Sequence, residues 1–124
     1  MASDALVASA NQFRAALEGA VRTGDLEAVY PLLAPDVEWV TPQRSLRGID
    51  EVKQQLHWIK PSETFDFEFS DGDWLDLGDG RLAIEVREVY LLKETGDFGY
   101  SRERRVELVI RDGKISRYEM RIVG

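Results

Sequence analysis

The 124-residue sequence contains no cysteine and a single histidine, His57. Without cysteine the chain has no disulfide, no zinc–thiolate or iron–sulfur ligand and no thiol nucleophile, and one histidine excludes a metal site built from several imidazoles. No hydrophobic stretch approaches the roughly 20 apolar residues that a membrane-spanning helix needs. The sequence therefore predicts a protein with no metal or cofactor and no membrane partner.

Positive charge is also scarce, with 16 lysines and arginines against 23 aspartates and glutamates and a net charge of -7. An acidic protein is repelled by phosphate backbones and anionic lipids, so nucleic acid is not an expected partner. The first residues, Met1 to Asp4, lack the basic and then apolar pattern of a signal peptide, and we expect a cytoplasmic protein. The length predicts one domain over residues 1–124.

The N-terminal half has the periodicity of helices. Apolar residues three and four apart predict an amphipathic helix over residues 4–23. Residues 26–33 indicate a short second helix, although Pro31 lacks an amide donor and should kink it. A third helix is expected over residues 49–59.

The remaining segments alternate apolar and polar side chains, which is typical of strands. Gly- and Asp-containing turns separate them, and Asp112-Gly113 is the strongest hairpin signal. Helices followed by strands predict an α+β domain in which a curved antiparallel or mixed sheet packs on three N-terminal helices around an internal pocket. The expected strands cover residues 36–42, 64–70, 74–77, 81–93, 100–111 and 114–123.

Alternation also indicates which side chains point into that pocket. On residues 81–93 the more apolar set has even numbers, and it includes Glu88 and Tyr90. The same reading places Arg102 and Arg104 together on the inward face of the next strand, and Ser116 with Tyr118 on that of the last. The candidate catalytic residues are Glu88 and Arg104. The candidate ligand-binding residues are Trp39, Thr41, Tyr90, Tyr118 and Met120.

Glu88 has two interpretations. A carboxylate buried alone in an apolar face has a raised pKa that suits general acid or base catalysis. Beside Arg104 it stays ionised, and the pair then serves mainly to organise the sheet. The ion pair is the favoured interpretation, and packing is the favoured role for the two tyrosines.

Four segments, in this order and spacing, resemble the SnoaL-like or nuclear transport factor 2-like superfamily over nearly the whole chain. They are Gly24-Asp25-Leu26, Leu33-Ala34-Pro35-Asp36-Val37-Glu38-Trp39, Arg47-Gly48-Ile49-Asp50-Glu51-Val52 and Arg111-Asp112-Gly113-Lys114-Ile115. The resemblance implies a cystatin-like cone with an internal pocket and often a homodimer formed through the sheet. It implies no single activity, because the superfamily includes isomerases, cyclases, epoxide hydrolases, dehydratases and members with no known reaction.

The catalytic residues of two superfamily members do not transfer to this sequence. Thr41 stands where ketosteroid isomerases place their base, and Leu17 and Val106 stand where they place their two hydrogen-bonding groups. In limonene-type epoxide hydrolases the aspartate that activates water corresponds to Met120. Its partner aspartate corresponds to Glu88, but the companion arginine corresponds to Val86.

Three functions therefore remain open. The first is a proton-transfer or water-addition enzyme for a small hydrophobic molecule, with Glu88 as acid or base, Arg104 orienting it and Tyr90 or Tyr118 polarising an oxygen. The second is a non-catalytic homodimer that encloses a hydrophobic ligand. The third is a homodimer whose interior is simply packed.

Three features outside the pocket complete the expectations from sequence. Mixed charges on the outward sheet face are expected to pair across a two-fold interface. His57 should flank the third helix at the edge of its apolar stripe, and an outward Trp58 suggests a contact with another subunit or a loop.

Overall fold

The computed structural model describes residues 4–56 and 61–123. In these ranges helix α1 (Asp4–Thr23) is followed by a 3-10 turn (Tyr30–Leu32) and helix α2 (Ile49–Leu56). The strands are β1 (Leu33–Val40), β2 (Ser45–Arg47), β3 (Phe65–Asp71), β4 (Leu75–Gly78), β5 (Arg81–Leu92), β6 (Phe98–Arg111) and β7 (Lys114–Val123).

The seven strands form one curved, unclosed sheet in the order β2-β1-β7-β6-β5-β3, with β4 also pairing with β5. The pairing of β1 with β7 is parallel, and every other pairing is antiparallel. The sheet is therefore mixed, as the sequence allowed. Asp112 and Gly113 have φ angles of 53° and 74°, which is the backbone of the tight hairpin turn that the Asp-Gly pair predicts.

The prediction of three helices is wrong for the described residues, which contain two α-helices. The segment expected to form the second helix is a turn that ends in the 3-10 helix Tyr30–Leu32. Pro31 cannot donate a hydrogen bond, and the segment is too short to recover that loss with further helical turns. The helix expected over residues 49–59 is present in the described residues as Ile49–Leu56. His57 and Trp58 lie outside the described residues.

The core lies between α1 and the concave face of the sheet. Phe13, Val29 and Val37 have no exposed surface, and Phe13 packs edge-on against the rings of Trp39 and Tyr118. The stripe predicted on α1 is buried at Ala10, Phe13, Leu17 and Ala20. The helix therefore covers one face of the sheet, and a cavity remains beside it.

The predicted strand phase holds on β5 but is broken on β7. Leu82, Ile84, Val86, Glu88 and Tyr90 are all buried. On β7, Ile115 is buried instead of the expected Ser116, because the β6–β7 register shifts between Val109 and Ile110. Ser116 is the extra residue of a bulge, which lets Ile115 and Tyr118 both point inward.

The outward face of the sheet carries alternating charges that pair within the chain. Glu107 lies 3.3 Å from Arg105 and 3.2 Å from Arg121, and Arg117 lies 2.9 Å from Glu119. Such partly exposed pairs contribute little stability each. The expected pairing of this face with a second copy stays a prediction.

Candidate functional site

A cavity of about 200 Å³ lies between α1 and the sheet. Apolar side chains make up most of its wall, and the polar groups are few. The polar or charged residues on the wall are Arg14, Glu18, Thr41, Glu88, Arg104 and Tyr118. Among the predicted candidates, Trp39 and Met120 also line it.

Glu88 and Arg104 form an ion pair on the sheet wall of this cavity. Glu88 is 8% exposed, and the side chain of Arg104 is 20% exposed. The two residues are not directly opposite one another, because Glu88 pairs with Arg102 in the strand register and Arg104 pairs with Val86. The contact is therefore diagonal across the two strands, which long side chains can span.

Arg102 is exposed, unlike its neighbour Arg104, although alternation placed both on the inward face. Its guanidinium lies 5.5 Å from the centre of the Tyr100 ring. Arg102 does not line the cavity, although Glu88, its partner in the strand register, does.

Arg104 has a second contact that matters for ligand binding. Its Nη1 donates to the thioether sulfur of Met120 at 3.3 Å. A thioether is a weak acceptor for a charged donor. A ligand oxygen at this position is a better partner than the sulfur.

Tyr118 is one of the six polar or charged residues on the cavity wall. Its ring stacks on Trp39 with centres 4.1 Å apart and an angle of 26°. Burial raises the pKa of Tyr118 to about 12, while Arg14 and Arg104 act in the lowering direction. The phenol is therefore protonated at neutral pH, and its hydroxyl can donate a hydrogen bond but cannot act as a base.

The raised pKa of Tyr118 gives a testable pH dependence. Between pH 10 and about pH 12 the unfolded chain has lost this proton while the folded chain keeps it, so the free energy of unfolding falls as the pH rises. Absorbance titration of tyrosinate, with Tyr118→Phe subtracted, should place this ionisation near pH 12. The same variant should lose part of the alkaline fall in stability, and ionisation of Tyr118 near pH 10 would contradict the assignment.

Two charged residues of α1 were missed by the sequence analysis. Arg14 is only 6% exposed, and it pairs with Glu18 at 3.1 Å and with Asp71 at 3.6 Å. The sequence did contain a signal for the burial of Arg14. This residue follows Ala10 by four residues and precedes Leu17 by three, which places it on the buried stripe. Asp71, expected in a turn, is the last residue of β3.

Tyr90 lies outside the cavity wall. It is buried in an aromatic cluster, where its ring stacks on Tyr100 with centres 4.3 Å apart and meets Phe65 and Phe67 edge-on. Burial and the neighbouring Glu88 raise the pKa of Tyr90, and Arg104 lowers it. Six of the predicted candidates therefore line the cavity, and Tyr90 does not. The six are Trp39, Thr41, Glu88, Arg104, Tyr118 and Met120.

A second cavity of about 380 Å³ adjoins the first and shares Trp39, Thr41 and Leu56 with it. Its other lining residues are Arg44, Leu46 and Gln55, and Arg44 donates to Gln55. Trp39 and Thr41 thus contribute to the walls of both spaces.

Across residues 4–56 and 61–123, no three His, Cys, Asp or Glu side chains are grouped so that they could hold a metal ion. Neither α-helix in the same ranges is long and apolar enough to cross a membrane.

Residues 13–118 match the family described as the SnoaL-like domain, and the chain belongs to this family. Its fold is that of the nuclear transport factor 2-like proteins, as the sequence resemblance implied. No curated protein matches the sequence.

Several solved structures share the fold at low sequence identity. An NTF2-like protein from Anabaena variabilis is 19% identical over all of this chain and 93% of that one, with a TM-score of 0.78. TerC, co-crystallised with polyporic acid, is 18% identical over 97% and 92%, with a TM-score of 0.70. A protein with a ketosteroid isomerase-like fold from Catenulispora acidiphila, in complex with trimethylamine, is 14% identical over 88% and 83%, with a TM-score of 0.62.

Proposed function

We propose that this protein binds a small, largely apolar carbonyl compound and moves a proton at the carbon next to the carbonyl group. The observation that carries the proposal is the Glu88–Arg104 ion pair, which lies in the wall of a cavity lined mostly by apolar side chains. The superfamily that the sequence resembles includes isomerases and cyclases, which supports a proton-transfer reaction, and the residues on the cavity wall indicate how that reaction would proceed.

Glu88 is the proposed base. Its carboxylate lies on the cavity wall, and the contact with Arg104 fixes its orientation. The carbonyl oxygen of the ligand takes the place of the Met120 sulfur as acceptor for Arg104 Nη1. The Tyr118 hydroxyl supplies a second donor, so that negative charge developing on the oxygen is stabilised.

The charges on the cavity wall favour a neutral ligand. Glu88 balances Arg104, and Arg14 is already matched by Glu18 and Asp71. An additional full charge would stay uncompensated in a partly dehydrated space. A carbonyl oxygen needs only hydrogen-bond donors, which Arg104 and Tyr118 provide.

The size of the cavity limits the ligand. An engineered apolar cavity of about 150 Å³ accommodates benzene. The cavity beside α1, at about 200 Å³, fits a ligand of about one ring. Larger substituents would have to extend into the adjoining space below Trp39 and Thr41.

The fold alone does not determine the ligand. One solved structure with this fold was obtained with polyporic acid and another with trimethylamine, an acid and an amine. The ligand of this protein therefore has to be inferred from the side chains of its own cavity.

Hydrogen–deuterium exchange at the carbons next to the carbonyl of cyclohexanone tests the proposal directly. The ketone is incubated with the protein in deuterated buffer, and deuterium uptake is followed by proton NMR. We expect the folded protein to accelerate uptake above the buffer rate and heat-denatured protein to have no such effect. Exchange at the buffer rate with the folded protein would overturn the proposal.

A non-catalytic binding protein is the second candidate, and it is favoured by Thr41 and Met120, which stand where two superfamily enzymes place catalytic groups. In that case cyclohexanone binds in the cavity but exchanges no faster than in buffer. The packed-interior alternative is disfavoured by the cavity. For either function we keep the proposal of a cytoplasmic homodimer formed through the outward sheet face, with no nucleic acid partner.

A further inference from the structure

The second cavity, of about 380 Å³, differs from the first in the charge on its wall. Glu18 and Glu88 line the first cavity, whereas no carboxylate of the described residues lines the second. Within the same residues, the charged side chain on the wall of the second cavity is that of Arg44. The reaction proposed above does not use this residue.

Arg44 lacks a carboxylate partner in the part of the chain that the structure describes. Three arginines lie on the walls of the two cavities, and the other two, Arg14 and Arg104, each contact a glutamate. The Nη1 group of Arg44 donates instead to the amide oxygen of Gln55. Because an amide is neutral, this hydrogen bond leaves the positive charge of Arg44 uncompensated.

The backbone of Arg44 is held by a two-residue turn between β1 and β2. The Thr41 N–H donates to the carbonyl oxygen of Arg44 at 2.9 Å, and the Arg44 N–H donates to the carbonyl oxygen of Thr41 at 3.3 Å. Pro42 favours this turn, because its fixed φ suits the first central position. Arg44 is exposed and Gln55 is partly buried, so the charge lies where the cavity meets solvent.

Arg44 and Gln55 together suit a carboxylate. A guanidinium presents its N–H groups in a planar fork, which matches the two oxygens of a carboxylate. The amide oxygen of Gln55 accepts from Arg44, so the amide N–H groups of Gln55 remain as further donors. A neutral acceptor such as an ester would take these hydrogen bonds but would not compensate the charge of Arg44.

The remaining wall of the second cavity suits a hydrocarbon arm. Trp39, Leu46 and Leu56 supply its apolar surface, and Trp39 and Leu56 also line the first cavity. An apolar arm attached to a ring in the first cavity can therefore extend along these two side chains towards Arg44. The preference for a neutral ligand applies to the space beside Glu88, and a carboxylate at the end of such an arm lies outside it.

We propose that Arg44 and Gln55 form a carboxylate-binding subsite, and that the ligand is a keto acid. Its ketone ring occupies the first cavity, and a short hydrocarbon arm carries its carboxylate to Arg44. The inference rests on the proposed function for the ketone end of the ligand. The acidic end is bound by residues that the proposed proton transfer does not use.

The test compares the affinity of a keto acid with that of its neutral methyl ester. The acids (4-oxocyclohexyl)acetate and 3-(4-oxocyclohexyl)propanoate carry arms of different length, and titration calorimetry gives Kd for each acid and each ester. We expect at least one acid to bind about tenfold or more tightly than its ester, as for a hydrogen bond to a charged group. Acids that bind no more tightly than their esters, for both arms, would overturn the subsite.

Two variants assign the preference to this pair of residues. Arg44→Gln removes the charge, and Gln55→Glu gives Arg44 an internal carboxylate partner, so each should abolish the preference for the acid. Arg47→Gln is the matched control, because it removes the same charge from an arginine that pairs with Glu38 at 2.9 Å. The control should keep the original ratio of affinities. A preference for the acid that persists in Arg44→Gln would place the carboxylate elsewhere and overturn the subsite.

Failure of the subsite and failure of the proposed function give different results. If deuterium exchange into cyclohexanone is catalysed while acid and ester bind equally well, the subsite is overturned and the proposed function stays intact. If the acid is preferred through Arg44 while exchange stays at the buffer rate, the subsite is supported and the proton transfer is overturned.

Discussion

Replacing Glu88 by glutamine is expected to slow deuterium exchange into cyclohexanone by about 10²- to 10⁴-fold, the range for a general base. Glutamine has nearly the same shape and still accepts a hydrogen bond from Arg104, but it cannot take a proton. Binding of the ketone should change little, because the donors to its oxygen, Arg104 Nη1 and Tyr118, stay in place. The effect should therefore appear in kcat rather than in KM.

Glu85→Gln is the matched control for this prediction. Glu85 lies on the same strand three residues earlier, and it is exposed on the opposite face of the sheet. The Glu85→Gln protein should catalyse deuterium exchange into cyclohexanone at the original rate. A Glu88→Gln protein that is folded and equally active would show that the exchange takes place elsewhere.

Replacing Arg104 by methionine is expected to lower the free energy of unfolding by about 3 kcal/mol. The substitution leaves the Glu88 carboxylate, 8% exposed, without its partner in an apolar wall. Breaking a buried ion pair costs about 3–5 kcal/mol, and the lower end applies because Arg104 keeps some exposure. Chemical denaturation followed by circular dichroism measures the loss.

The double variant Glu88→Gln with Arg104→Met separates the ion pair from simple packing. The double variant also removes the Glu88 carboxylate that Arg104→Met leaves without a partner, so it should be more stable than Arg104→Met alone. Arg111→Met, at the exposed end of the same strand, should change stability by about 0.5 kcal/mol or less. A double variant that is less stable than Arg104→Met would contradict a charge-based origin of the loss.

Most of the fold follows from local patterns in the sequence. The even-numbered side chains of β5 from Leu82 to Tyr90 are buried because alternation on a strand covered on one face has a fixed period of two. The last hairpin follows from Asp112-Gly113, since both residues adopt positive φ. The family resemblance rests on segments of this kind, and the matched range confirms it.

The structural predictions are wrong where the folded structure overrides a local sequence pattern. Alternation on β7 predicted an inward Ser116, but a bulge brings Ile115 inward instead, and a period of two cannot reveal where a residue is inserted. The 3-10 turn at Tyr30–Leu32 replaces a helix because the missing amide of Pro31 outweighs the apolar spacing around it.

The candidate site was predictable on the sheet and only partly on the helix. Strand alternation identified Glu88, Arg104 and Tyr118, because a charged or hydroxyl-bearing side chain in an apolar set is conspicuous. Arg14 lay within the apolar stripe of α1, but arginine is usually exposed at the edge of such a stripe. Its burial depends on Glu18 and on Asp71, which is 57 residues further along the chain, and local periodicity does not report such a pairing.

The central claim is that an ion-paired carboxylate faces a cavity that binds a carbonyl compound. Phenol is a planar, single-ring mimic of the enol that proton removal would form. A crystal structure with phenol tests the claim most directly. It should show the ring between α1 and the sheet, with its oxygen within hydrogen-bond distance of Tyr118 and Arg104 and its edge against Glu88. Phenol bound only on the outer surface, with the cavity closed by Glu88 and Arg104, would contradict it.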